Sequence, residues 1–461
     1  MKKWITLFRL ALDGSEQSYT SGSINRAIFL LSVPMILEMI MESLFAVVDV
    51  FFVSKVSIDA VATVGLTESV ITLIYSIAIG LSTAATALVA RRVGEGNADQ
   101  AGRAIGQIIL ISLVISVVMA GFGFVYAGDI LQLMGADSQV IESGTMYARI
   151  TFLSSPAIVL LYSLSGALRG AGAASAAMRS LWVANGLNMI LDPLFIFGIA
   201  FFPEMGVTGA AVATTIGRVI GVGYQLYFLY NSRNGVSIEW ADFVPDFQLI
   251  KSILSLAAGG TSQFLISSAS WIFLARMLAE FGTDVVAGYT IAIRVIIFTL
   301  LPAWGMANAA ATLVGQNLGA GHPDRAETSV WRTAYYNMWF LLSLAVLFFL
   351  AAEPIISLFN TSAAVVQTGV TALRVLCLGY GFYAYGMVII QAINGAGDTR
   401  TPIYLNIICF WLIEIPVAYI LALLLNWGPI GVFAAVPIGE SILAIMGILV
   451  FRRGRWKLTQ V

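Results

Sequence analysis

Charge is what this chain has least of. Only 11% of its residues are Asp, Glu, Lys or Arg, against about 25% in a soluble globular chain. With a net charge of −1 there is no basic footprint for nucleic acid. Histidine occurs once, as His322 in a polar stretch, and cysteine twice, as Cys377 and Cys409 in apolar runs. Two cysteines cannot make a four-ligand zinc site, and they do not suggest a disulfide framework. A histidine proton relay has nothing to run through. A membrane enzyme would need a nucleophile–base pair or a metal cluster, and neither set is visible. ATP-driven transport would need a GxxxxGK[ST] loop, which is missing. The chain is therefore expected not to be an enzyme and to use no cofactor.

What is present is apolar length. Hydrophobic residues make up 59% of the 461. They fall into twelve runs, at roughly 28–53, 62–90, 103–127, 140–167, 178–200, 207–230, 250–276, 285–315, 328–352, 364–392, 401–426 and 429–451. Each is long enough to cross about 30 Å of hydrocarbon as a helix. The expected fold is an all-α polytopic membrane protein. Residues 1–27 form a cytoplasmic N-terminal segment whose opening, MKKWITLFRLAL, is too interrupted by Arg9 for a secretory signal. It suits an amphipathic helix lying on the membrane surface with Trp4 at the interface. Arginine and lysine gather in alternate loops and in the tail Arg452, Arg453, Arg455 and Lys457, whereas the opposite loops hold only Lys55 and Arg276. Both termini are then expected on the cytoplasmic side.

The chain repeats itself. Residues 85–101 read ATALVARRVGEGNADQA and residues 310–326 read AATLVGQNLGAGHPDRA, an offset of 225. Ala167-Leu-Arg-Gly-Ala-Gly matches Ala392-Ile-Asn-Gly-Ala-Gly at the same offset, and Gly209-Ala-Ala-Val-Ala matches Gly431-Val-Phe-Ala-Ala at 222. An even number of spans per half implies a parallel repeat: an N-lobe at 28–232, a polar cytoplasmic linker at 233–249, and a C-lobe at 250–461. The pairs Gly94/Gly96 and Gly319/Gly321 invite a phosphate-loop reading, but no strand precedes either, so they read as helix ends.

An ionisable group at the bilayer centre costs about 2.5–3.5 kcal/mol on insertion scales. The first span nevertheless carries Glu38, Glu42 and Asp49 on one helical face, and the fifth carries Asn185, Asn188 and Asp192 on another. Pro193 leaves the Met189 carbonyl without its helical donor. Counting from the span ends puts Asp49, Tyr147, Asp192 and Thr214 at a common depth, roughly 6–12 Å below the outer surface. Apart from Arg179 at the inner edge of span five, more than two turns from Asn188, neither span one nor span five holds a basic residue to pair with the carboxylates. At the position matching Asp49 the second half has Leu274, and around the match to Asp192 it reads Ile415-Pro416-Val417. Scaffold features recur in both halves and this acidic cluster does not, which argues for function. The competing reading is a hydrogen-bonded pair that holds two helices together.

Asp49, the run Leu187-Asn-Met-Ile-Leu-Asp-Pro-Leu-Phe-Ile-Phe-Gly198 and the run Gly206-Val-Thr-Gly-Ala-Ala-Val-Ala-Thr214 together resemble the MATE (multidrug and toxic compound extrusion) transporters, most closely their prokaryotic DinF-like branch. The resemblance covers essentially the whole chain. It implies twelve transmembrane helices in two pseudo-symmetric six-helix lobes. It also implies a monomeric exporter in a prokaryotic plasma membrane that exchanges amphipathic, often cationic small molecules for protons or sodium. By this resemblance Asp49, Tyr147, Asn188, Asp192 and Thr214 match the cation or proton site, the one place where a sodium ion is expected. Glu38, Glu42, Asn185, Gln263 and Glu414 are candidates for the substrate cavity. The acidic residue that the NorM-like branch carries in its seventh span is missing; Gln263, Ser267 and Ser268 are the polar groups there. The partners expected are small amphipathic substrates and membrane lipids, not nucleic acid. The rival is a flippase for lipids or lipid-linked saccharides on the same two-lobed plan, but such a protein is expected to carry a cationic cavity, and this cluster is acidic.

Overall fold

A computed structural model describes residues 2–14, 19–199, 201–231 and 236–460. The expected linker therefore lies partly outside the described residues, at 233–235, as do the ends of the chain and part of the N-terminal segment. Among the described residues the chain is helical throughout. The first half comprises α1 (Lys2–Asp13), α2 (Ile24–Val53), α3 (Ile58–Gly94), α4 (Ala98–Leu133), α5 (Ser138–Leu153), α6 (Ser155–Gly170), α7 (Ala174–Phe197) and α8 (Val207–Tyr230). The second comprises α9 (Phe247–Ala279), α10 (Thr283–Gly319), α11 (Pro323–Ser357), α12 (Ala363–Cys377), α13 (Tyr380–Gly395), α14 (Arg400–Asn406), α15 (Ile415–Tyr419) and α16 (Pro429–Arg452). π-Wound turns at Ile407–Glu414 and Ile420–Leu424 join α14 and α15 into one long span.

Ten helical stretches among the described residues are long and apolar enough to cross a membrane, and the pair α12–α13, bent by 56°, makes an eleventh. α2 has 30 residues, about 45 Å at 1.5 Å per residue, which is again enough. Each half thus supplies six crossings.

The repeat read from the sequence is a repeat of structure. α3 and α10 both have 37 residues, and Ile58 and Thr283 start them 225 positions apart. The break between α5 and α6 recurs at the same offset between α12 and α13. Gly96 and Gly321, with φ of 72° and 73°, occupy the left-handed turn after α3 and after α10, a conformation that costs glycine little. Gly170 and Gly395 mark a second shared device. A Cβ on Gly170 would stand 2.8 Å from the Thr86 carbonyl oxygen, and one on Gly395 2.3 Å from that of Ala311, so α6 and α13 can lie against α3 and α10 only as glycine.

Close contacts divide the chain into two units, 1–18 with 33–261 and 19–32 with 262–461. Within the first, buried polar side chains bind helix to helix: Gln225 donates to the hydroxyls of Ser165 and Ser180, each at 2.8 Å. Arg179, in the first two turns of α7, caps α1 by donating to the Leu12 carbonyl. The described part of the linker is fixed as well. Gln107 of α4 donates to the carbonyls of Asp242 (2.7 Å) and Val244 (2.9 Å) and accepts from the Asp246 amide (3.0 Å). In the second unit Arg325 donates to the carbonyls of Tyr19, Ser21 and Gly22, holding the stretch before α2.

Candidate functional site

Five helices of the first unit converge near the C-terminal ends of α2 and α7. Asp49 lies one turn before the end of α2, and Asp192 just before Pro193 in α7. Thr214 lies two turns into α8, and Tyr147 is on α5. Asp192 is fully buried, Asn188 is 2% exposed and Asp49 9%. The i, i+4 spacing of Asn188 and Asp192 lets the Asn188 amide reach both neighbours: it donates to Asp192 Oδ1 at 3.2 Å and to Thr214 Oγ1 at 2.8 Å. The carboxyls of Asp49 and Asp192 are close enough to interact directly. Tyr147 packs in an apolar cluster with Val53, Ala60, Val64, Ile196, Val207 and Ala210, which seals this end of the site.

Three buried oxygens there have no hydrogen-bond partner: Asp49 Oδ1, Asp192 Oδ2 and Asn188 Oδ1. Buried polar atoms are seldom left so. Carboxylate, amide and hydroxyl oxygens are the donor types that a proton or a small hard cation uses.

Glu42 lies on the same face of α2, half-buried. It accepts from the Tyr162 hydroxyl at 2.7 Å and from the Asn185 amide at 3.0 Å. Beside it Arg218 of α8 donates to the Tyr75 hydroxyl and stacks over that ring at 5.8 Å, within electrostatic reach of both Glu42 and Asp49. Glu38 has another setting: it is 1% exposed and paired with Arg169 of α6 at 2.7 Å. Arg169 lies just past the end of the fourth apolar run, 140–167, where the sequence suggests a cytoplasmic loop charge; it is in fact buried in the last turn of α6 and also donates to Ser82. The carboxylates of span one thus find cations that spans one and five do not supply. In the sequence Arg218 stands at the place of Glu440 in the second half, 222 positions on, which by itself suggests a feature of the shared architecture. Its spacing from Thr214, four residues along one helix face, is the signal that would have placed it near the site.

Gln263 and Glu414 lie in the second unit. Gln263 exchanges hydrogen bonds of 3.0 Å with Asn394 in both directions and donates to the Thr399 carbonyl. Glu414 is 1% exposed.

Two bundles of six crossings, with a buried cluster of acidic and other oxygen-bearing side chains inside the first, define a multi-pass membrane transporter. The MatE family model matches residues 34–194 and again 261–420, once in each half, and the chain belongs to that family. It is 25% identical to the probable multidrug resistance protein NorM of Thermotoga maritima, over 94% of this chain and 93% of that one. It is likewise 25% identical to the probable multidrug resistance protein YoeA of Bacillus subtilis, over 96% and 97%. Among solved structures it is similar to a MATE in complex with MaL6, with a TM-score of 0.89, 28% identity and coverage of 96% and 99%. A MOP superfamily transporter from Pyrococcus furiosus superposes with a TM-score of 0.87 at 27% identity, over 96% and 98%. The protein is thus a multi-pass transporter of a prokaryotic plasma membrane that acts on small molecules.

Proposed function

We propose that the chain is a secondary multidrug exporter in which Asp49 and Asp192 bind the coupling ion, a proton or sodium, and Asn188, Tyr147 and Thr214 complete the site. The observation that carries this reading is the set of three buried, unpartnered oxygens on Asp49, Asp192 and Asn188. Two carboxylates in an apolar layer persist only with a proton, a cation or full hydrogen bonding, and here the hydrogen bonding is incomplete. Loading the site removes one of its two negative charges and lets α7 repack, with Pro193 providing the place to bend. Substrate release follows as the population shifts, which is alternating access. Glu42 and Asn185 receive the cationic end of an amphipathic substrate. Support for the multidrug role comes from relatives named for it, including the multidrug export protein MepA of Staphylococcus aureus, 22% identical over 96% of both chains. The protein works as a monomer among lipids, with both termini in the cytoplasm. The carboxylates in its first half are what align it with the DinF-like branch.

The test is drug efflux in proteoliposomes with a proton or a sodium gradient imposed separately. Movement driven by one gradient is expected. Equal movement with no gradient would overturn the reading and favour an uncoupled flippase.

A further inference from the structure

The second unit holds two carboxyls that this reading does not use. Glu414 ends the π-wound stretch Ile407–Glu414, and Glu440 is on α16. Glu414 is 1% exposed, and its Oε1 is buried without a hydrogen-bond partner. It lies flat on α16 because residue 439 is glycine: a Cβ there would stand 2.6 Å from Glu414 Oε2. The next residue on α16, Glu440, carries a charge within electrostatic reach of it. The other titratable groups around the pair are Tyr289 of α10, Tyr383 of α13 and Cys409 of the eleventh span. Among the described residues no arginine, lysine or histidine pairs with either carboxyl.

We propose that Glu414 and Glu440 form a proton-binding pair in the second unit, separate from Asp49 and Asp192. Two carboxylates within electrostatic reach of each other in an apolar layer repel, and neither is paired with a cation. One proton removes a charge, forms an O–H bond on one carboxyl and gives the pair a donor where it now has only acceptors. Release of the same proton restores the starting state, so the step balances with water as the only exchange partner. Sodium fits less well. The groups that would complete its shell are tyrosine hydroxyls and a thiol, and sulfur is a poor ligand for a hard cation. A merely structural acid would have its oxygens satisfied, and Glu414 Oε1 is not. The π-wound turns on both sides of α15 are a second sign, since such windings concentrate at functional positions and give the backbone room to adjust.

The experiment is infrared difference spectroscopy of the purified full chain between acid and alkaline pH. It is done in the Asp49→Asn/Asp192→Asn background, so that these two carboxyls contribute nothing and the outcome does not depend on their role. A carboxylic-acid carbonyl band that vanishes on alkalisation is expected, and Glu414→Gln should abolish it. Glu440→Gln, at a partly exposed position, should keep the fold and shift the midpoint of the band's titration, because the second charge is gone. A band unaffected by Glu414→Gln, or an unmoved midpoint in Glu440→Gln, would overturn the proposal. Displacement of the band by sodium chloride but not by choline chloride would overturn the choice of ligand.

Discussion

Glu38 and Arg169 are joined at 2.7 Å inside the first unit, and the residues 225 positions further on, Gln263 and Asn394, are joined inside the second by reciprocal hydrogen bonds of 3.0 Å. One lock is ionic and the other neutral, at equivalent places in the repeat. Each fastens the first crossing of its half to the end of the fourth.

This equivalence makes the ionic lock replaceable. Arg169→Met leaves Glu38 buried with its charge uncompensated and should cost about 3–5 kcal/mol. The double variant Glu38→Gln/Arg169→Asn copies the second half and should regain most of that loss. Unfolding of the detergent-solubilised protein, followed for both variants, checks the claim. A double variant as unstable as Arg169→Met would contradict the equivalence.

Gln107 satisfies three backbone groups of the linker at once. Gln107→Ala orphans them, at about 1–3 kcal/mol. Helices α4 and α9 should stay intact while proteolysis within 236–246 accelerates. Limited digestion with mass mapping reads this out, and an unchanged cleavage rate would mean that the linker is held elsewhere.

The helices and the repeat were legible because their signals are local. Apolar length and turn glycines such as Gly96 and Gly321 stand at fixed offsets in the chain, whereas the breaks inside the runs 140–167 and 364–392 show only in the structure. Partnerships across the fold were less legible. Arg169 looks like a loop charge until α6 is seen to carry it inward, and Arg218 looks architectural until it is seen beside Glu42. The register of the eleventh span was hidden by its π-wound turns. The sequence aligns Asp192 near Pro416, yet Gly217 approaches Asn188 as Gly439 approaches Glu414, so a carboxylate of the second half stands where the first has an amide. The second half thus has its own acidic residue, though Asp49 does correspond to Leu274, which is buried in an apolar core.

Glu42 should govern affinity for cationic substrates. Glu42→Gln keeps the shape and the bond from Tyr162 but removes the charge. Apparent KM for a cationic drug should rise about tenfold, near 1.4 kcal/mol, with little change for a neutral one. Equal effects on both would point to packing instead. Glu42→Cys should react with a water-soluble thiol reagent in at least one transport state.

Pro193 should matter to rate more than to binding. Pro193→Ala allows a bond to the Met189 carbonyl and stiffens α7 where it needs to bend. Turnover should fall severalfold while drug binding is kept. An unchanged rate would place the bending elsewhere.

The central claim is that Asp49 and Asp192 together couple the ion to the drug. The most direct measurement is gradient-driven efflux from proteoliposomes containing Asp49→Asn or Asp192→Asn, with drug binding and folding checked on the same preparations. The account predicts folded, inserted, drug-binding protein whose efflux no longer responds to the ion gradient in either variant. Gradient-driven efflux at the parent rate in both would contradict it, and a loss of folding instead of coupling would return the two carboxylates to a structural role.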